Sequence, residues 1–137
     1  MLQFYFLSII ANLLAGVALS ADYLAERFKG FAPYAEVFGR RNTKATLGIG
    51  AFVVGFLKLL IRSSPNDVPV VGDLLPALAG LAMGAALVVG LIGDRTGVGG
   101  EAVTSFEKAV MSYRVPLGIA GIVVAVLHFL LPGALFL

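Results

Sequence analysis

The sequence contains no cysteine and no tryptophan, it has one histidine, and 13% of its 137 residues are charged. Without cysteine the chain forms no disulfides and offers no thiolate as a metal ligand or nucleophile. One histidine leaves too few nitrogen ligands for a zinc site of the usual kind. The zinc-protease HExxH, the nucleophile elbow GxSxG and the P-loop are also missing. We therefore expect no metal, no cofactor and no catalysis by this chain.

The sequence is rich in hydrophobic residues as well as poor in charged ones. Hydrophobic residues make up 59% of the sequence, whereas a typical soluble domain has about 45–50% apolar and about 25% charged residues. A chain of this length cannot bury so much apolar surface in its own core, so the composition predicts a lipid bilayer as the surrounding solvent. The net charge of +2 is not gathered in a basic patch, which argues against nucleic-acid binding.

Four apolar stretches have the length of membrane spans. They cover residues 2–21, 45–61, 74–93 and about 115 to the C-terminus. A hydrocarbon core of about 30 Å requires roughly 20 helical residues, and backbone groups in lipid must bond internally. The sequence predicts one all-α integral membrane domain over residues 1–137 with four transmembrane helices. No Lys or Arg precedes the first stretch, which is long for a signal peptide, so we expect a retained helix.

Basic residues mark the orientation and the loops. Arg27, Lys29, Arg40, Arg41 and Lys44 lie between the first two spans, and Arg95, Lys108 and Arg114 between the last two. The positive-inside rule places both loops in the cytoplasm and both termini on the outer side of a cell membrane, as in the bacterial inner membrane. Apolar residues at helical spacing over residues 100–114, and more briefly over 23–31, predict short amphipathic helices at the cytoplasmic interface. We expect Gly30 and Pro33 to end the shorter one.

The two halves of the sequence resemble each other. At an offset of 70, residues 44–60 and 114–130 share seven of 17 positions, and at an offset of 68, residues 11–19 and 79–87 share five of nine. This pattern predicts two tandem two-helix repeats, about residues 1–62 and 72–137. Because each repeat is a hairpin, both enter the membrane from the same side, and the predicted symmetry is a two-fold axis along the membrane normal.

Small residues indicate where the helices pack closely, since lipid leaves no hydrophobic driving force between helices. The candidate packing positions are Gly16, Gly48, Gly55, Gly80, Gly84, Gly118 and Gly121. Most of them should pack within the bundle. Any stripe that faces outward would mark a contact with a second copy or a larger partner.

Lys58, His128 and Asn12 are the candidates for a polar site within the spans. Lys58 and His128 are equivalent in the two repeats, 14 residues after Lys44 and Arg114, or about 21 Å along a helix. One interpretation is a site that binds an anion or relays protons. The pattern favours another, in which Lys58 extends toward Asp67 or Asp73 at the outer surface and neutral His128 makes one interhelical hydrogen bond. For Asn12 we favour helix packing over a substrate contact.

These features predict an accessory or structural subunit of a larger membrane assembly, without catalysis of its own. Its partners would be the lipid bilayer and another membrane protein or a second copy. The alternative is a small homo-oligomeric transporter or channel with a polar site near Lys58 and His128. An enzyme acting on lipid ranks third, because the spans contain no acidic residue.

Overall fold

The computed structural model describes residues 2–61, 74–96 and 101–131. They form six α-helices: α1 (Leu2–Arg27), α2 (Ala32–Gly39), α3 (Arg41–Leu60), α4 (Leu74–Thr96), α5 (Glu101–Ser112) and α6 (Arg114–Leu130). A 3₁₀ turn, Lys29–Phe31, joins α1 to α2. The described chain is therefore all-helical, as the sequence predicts.

Three helices, α1, α3 and residues Leu74–Ile92 of α4, are each long and apolar enough to cross a membrane. Helix α6 has 17 residues, and it is a fourth candidate span only if it is joined with Ser105–Ser112 of α5, from which it is bent by 52°. The structure thus contains a helical bundle with three to four candidate spans. The bend separates the amphipathic helix predicted over residues 100–114 from the apolar helix that follows it.

The segment after the first span differs from the sequence prediction. Helix α1 continues past Asp22 to Arg27, and Pro33 lies in the first turn of α2 instead of ending a helix. Proline is tolerated there because its missing N–H has no partner in the first turn, and its fixed φ suits a helix start. The amphipathic helix predicted over residues 23–31 is therefore replaced by the end of α1, the 3₁₀ turn and a separate helix.

The bundle has small side chains inside and large apolar ones outside. Helix α3 packs mainly on α4 and α1 mainly on α6, while α1 and α4 contact each other between these pairs. Ala15, Ala51 and Met83 are among the fully buried core residues, whereas Phe56 is 51% exposed. A water-soluble domain would bury such side chains. Lipid accommodates them, and small residues inside let the helix backbones approach closely.

Glycines lie at the points where the helices approach most closely. A Cβ atom on Gly16 would lie 2.6 Å from the carbonyl oxygen of Gly118, and one on Gly84 would lie 2.6 Å from that of Gly48. These are the α1–α6 and α3–α4 contacts. One on Gly55 would lie 2.8 Å from the backbone of α4. At each of these positions a side chain would meet backbone, which has little freedom to move aside.

Two further glycines contact side chains. A Cβ atom on Gly80 would lie 2.9 Å from Oδ1 of Asn12, and Gly121 lies against the thioether of Met83. All seven candidate packing glycines therefore lie against another helix. Gly50 differs from them, since a Cβ atom there would have no neighbour within 4 Å.

Candidate intramembrane polar site

Lys58 and His128 meet inside the bundle. Each lies in the last turn of its helix, α3 or α6, and their exposed fractions are 3% and 1%. Lys58 Nζ lies 3.0 Å from His128 Nε2. At this distance one nitrogen donates and the other accepts a hydrogen bond. A lysine ammonium therefore requires an unprotonated Nε2, and the two groups can hold one shared proton between them.

Tyr5 of α1 completes the cluster. Its hydroxyl donates a short hydrogen bond to the backbone carbonyl of His128, and the centroids of the Tyr5 and His128 rings are 4.6 Å apart. Lys58 Nζ lies 5.9 Å from the Tyr5 ring centroid, within the range of a cation–π interaction. Three helices thus contribute to one polar cluster, which we call the Lys58–His128 site (Tyr5, Lys58 and His128).

Tyr5 is not among the polar residues that the sequence predicts for the site. The signal that could have found it is its spacing with Ser8 and Asn12, at i, i+3 and i+7 on α1, which places the three on one helix face. Ser8 and Asn12 are buried, with exposed fractions of 1% and 3%. Several polar side chains on one face of an apolar helix are unusual. Such a face is therefore a better indicator of an enclosed polar site than any one of its residues alone.

Asn12 lies outside the Lys58–His128 site. It is seven residues from Tyr5, or about 10 Å along the helix. Its Nδ2 donates a hydrogen bond of 2.9 Å to the carbonyl oxygen of Pro76 on α4. The amide therefore connects α1 to α4 in the middle of the bundle. The predicted outer partners of Lys58, Asp67 and Asp73, lie outside the described residues.

The interior of the bundle is densely packed from Asn12 toward the end at which α3 and α6 begin. Ala15, Ala51 and Met83 are each 1% exposed or less, and Met83 fills the space beside Gly121. Ser20 donates its hydroxyl hydrogen to the carbonyl oxygen of Gly16 in the preceding turn, at 2.7 Å. Side chains therefore occupy the described core, and they do not line an open polar path.

Three basic side chains, Arg41, Lys44 and Arg114, lie at the end of the bundle where α3 and α6 begin. Arg114 forms an ion pair with Asp22, 3.0 Å from Nη2 to Oδ2, and Arg41 Nη2 lies 3.5 Å from the carbonyl oxygen of Leu91. Lys44 of α3 and Arg114 of α6 line a small cavity of about 50 Å³ whose other walls are α1, α4 and α5. Within the described ranges, no group of three His, Asp or Glu side chains could hold a metal ion.

The fold and the polar cluster together define a class of protein: a helical bundle with three to four candidate membrane spans and an enclosed polar site. A protein-family model for a domain of unknown function matches residues 1–128, which is most of the chain. The chain therefore belongs to that family. No curated protein and no solved structure matches it.

Proposed function

We propose that this chain is a multi-pass protein of the cell membrane that acts as an accessory or structural subunit of a larger membrane assembly. The proposal includes a fourth span at α6, α2 and the amphipathic α5 at the cytoplasmic interface, and both termini on the outer side. A bacterial inner membrane is the proposed location. The distribution of Lys and Arg between the loops supports this orientation.

We also propose that the bundle consists of two tandem repeats. Two glycine contacts support this idea. Gly84 lies 68 residues after Gly16, and Gly118 lies 70 residues after Gly48, so the Gly16–Gly118 and Gly48–Gly84 contacts are equivalent under the sequence offsets. Lys58 and His128 are also 70 residues apart. Equivalent residues can touch each other only where both lie close to a two-fold axis, so the proposed axis would pass beside the Lys58–His128 site.

The observation that carries the subunit proposal is the uncovered face of α3. In the apolar window of this helix, 28% of the residues are buried, against 50% in α1. Phe52, Val53 and Phe56 are each between 43% and 51% exposed, and Gly50 has open space around it. A notch at a glycine beside protruding phenylalanines suits close packing against another transmembrane helix. We call this surface, formed by Ile49, Gly50, Phe52, Val53 and Phe56, the α3 face.

Site-specific photo-crosslinking in cells at native expression tests the subunit proposal. A photoreactive phenylalanine analogue at Phe56 should give one discrete crosslinked band containing a second membrane protein. The matched control is the same analogue at Phe129, which is 54% exposed on α6 and should crosslink to lipid. Equal, diffuse crosslinking at both positions would contradict the proposal, because it would show that lipid alone covers the α3 face.

The second candidate function is a small homo-oligomeric transporter or channel. The observation that favours it is the contact between two buried ionisable side chains, Lys58 and His128, in the last turns of α3 and α6, because intramembrane charges commonly mark ion or proton pathways. Purified protein in liposomes should then carry out proton or anion flux, and Lys58→Met should abolish it. Lys29→Met, on an exposed residue, is the control. Flux from the purified chain would displace the subunit proposal, and its absence would reject transport.

A further inference from the structure

We propose that the bundle contains a specific site for an anionic glycerophospholipid where α4, α5 and α6 meet the first turn of α3. The site consists of two adjoining spaces. One is the cavity lined by Lys44 and Arg114, and the other is an apolar groove of about 350 Å³. Ala86 of α4 lines both. The proposal concerns a ligand of this chain and does not depend on the chain's role in an assembly.

The groove has the shape and chemistry of an acyl-chain site. Its walls include Ala82, Ala86 and Val89 of α4, Phe106 of α5, Tyr113 at the bend and Leu117 of α6. Except for the tyrosine hydroxyl, these side chains are apolar. The groove lies beside the 52° bend between α5 and α6. The volume lies in the range of about 300–1,000 Å³ usual for small-molecule sites.

The direction of the groove matches a lipid that enters from the membrane surface. It extends along α4 from Val89 to Ala82, seven residues or about 10 Å along the helix. Leu117 lies one turn deeper than Arg114, which begins α6. The cationic cavity is therefore at the surface end of the groove, as a phosphate headgroup at the interface and an acyl chain in the hydrocarbon region require.

The charges in the cavity favour an anion. Arg114 is engaged by Asp22 on one side, with 34% of its side chain exposed. Lys44 is half-buried, and within the described part of the chain no acidic side chain pairs with it. The space of about 50 Å³ suits a group of phosphate size. An ammonium and a guanidinium beside an apolar groove are complementary to an anionic lipid, and a zwitterionic headgroup would bring its own cation toward them.

Lipid binding to purified protein in mild detergent micelles tests the proposal. At low lipid content the micelle has no extended anionic surface, so binding reports the site. Phosphatidylglycerol should raise the melting temperature and remain bound in native mass spectrometry, and phosphatidylcholine with the same acyl chains should do neither. Lys44→Gln should weaken phosphatidylglycerol binding about fivefold. The matched control, Lys29→Gln, removes the same charge from an exposed residue and should leave the affinity unchanged.

A second variant tests the groove independently. Ala82→Phe places a ring in the groove from an exposed position on α4 and should abolish phosphatidylglycerol binding without changing the melting temperature of lipid-free protein. The proposal is overturned if both lipids bind equally, or if the two lysine variants lose affinity equally. It is also overturned if inorganic phosphate stabilises the protein as well as phosphatidylglycerol does and Ala82→Phe retains that effect, because the cavity would then take a free anion. The lysine comparison decides the question if Ala82→Phe does not fold.

Discussion

Alanine substitution at two glycines measures how much of the bundle's stability comes from close helix packing. In Gly84→Ala the new methyl would lie 2.6 Å from the carbonyl oxygen of Gly48 and from the amide nitrogen of Phe52. Ordinary contacts are 3.4–4 Å, so α3 and α4 must separate by about 1 Å, and overpacking of this kind costs about 1–3 kcal/mol. In Gly50→Ala the methyl meets nothing within 4 Å.

The pair is matched because alanine favours a helix over glycine by about 1 kcal/mol at both positions. That gain cancels in the comparison, and the difference of about 1–3 kcal/mol reports the clash alone. The free energy of unfolding of each variant can be measured by steric trapping in bicelles, with helix content checked by circular dichroism. Gly50→Ala should equal or exceed the wild type in stability. If Gly84→Ala is as stable as Gly50→Ala, glycine contact between α3 and α4 does not hold the bundle together.

Three other predictions concern the polar residues and the orientation. Asn12→Ala removes the hydrogen bond to Pro76 and should lower the free energy of unfolding by about 0.6–2 kcal/mol; no change would mean that the bond adds nothing to stability. Lys58→Met and His128→Leu should be non-additive by about 0.5–3 kcal/mol in a double-mutant cycle, because their nitrogens are in contact; additive losses would contradict that contact. A fusion at the C-terminus should give a signal with a reporter that works only outside the cytoplasm. A signal only from a reporter that works in the cytoplasm would reverse the proposed orientation.

Much of the fold could be predicted because its causes are local in the sequence. Apolar runs of about 20 residues and the need to satisfy backbone hydrogen bonds predict helices in lipid. Within the described residues, α1, α3, α4 and α6 cover the first and third apolar stretches and most of the second and fourth. The helix at Ala32–Gly39 was not predicted. Proline is compatible with both the end and the beginning of a helix, so Pro33 does not distinguish these alternatives without the rest of the chain.

The candidate site was partly predictable. Lys58 and His128 follow the glycine and alanine stripes of their helices, which indicates that they face a helix interface. Tyr5 was missed because a tyrosine near the end of a span is usually an interfacial residue. The ion pair between Asp22 and Arg114 joins residues 92 positions apart. Neither local hydropathy nor helical spacing carries information about such a pairing.

The sequence alone therefore determined the apolar stretches long enough to span a membrane, the helical backbone and the set of small residues available for packing, because each depends on composition and period. The tertiary structure decided which surfaces meet. The rotation of each helix and its crossing point arise from many weak contacts summed over the whole bundle. That sum places Gly16 on Gly118 and Met83 beside Gly121. It also brings Lys58 Nζ to 3.0 Å from His128 Nε2, so that two isolated polar residues become a single site.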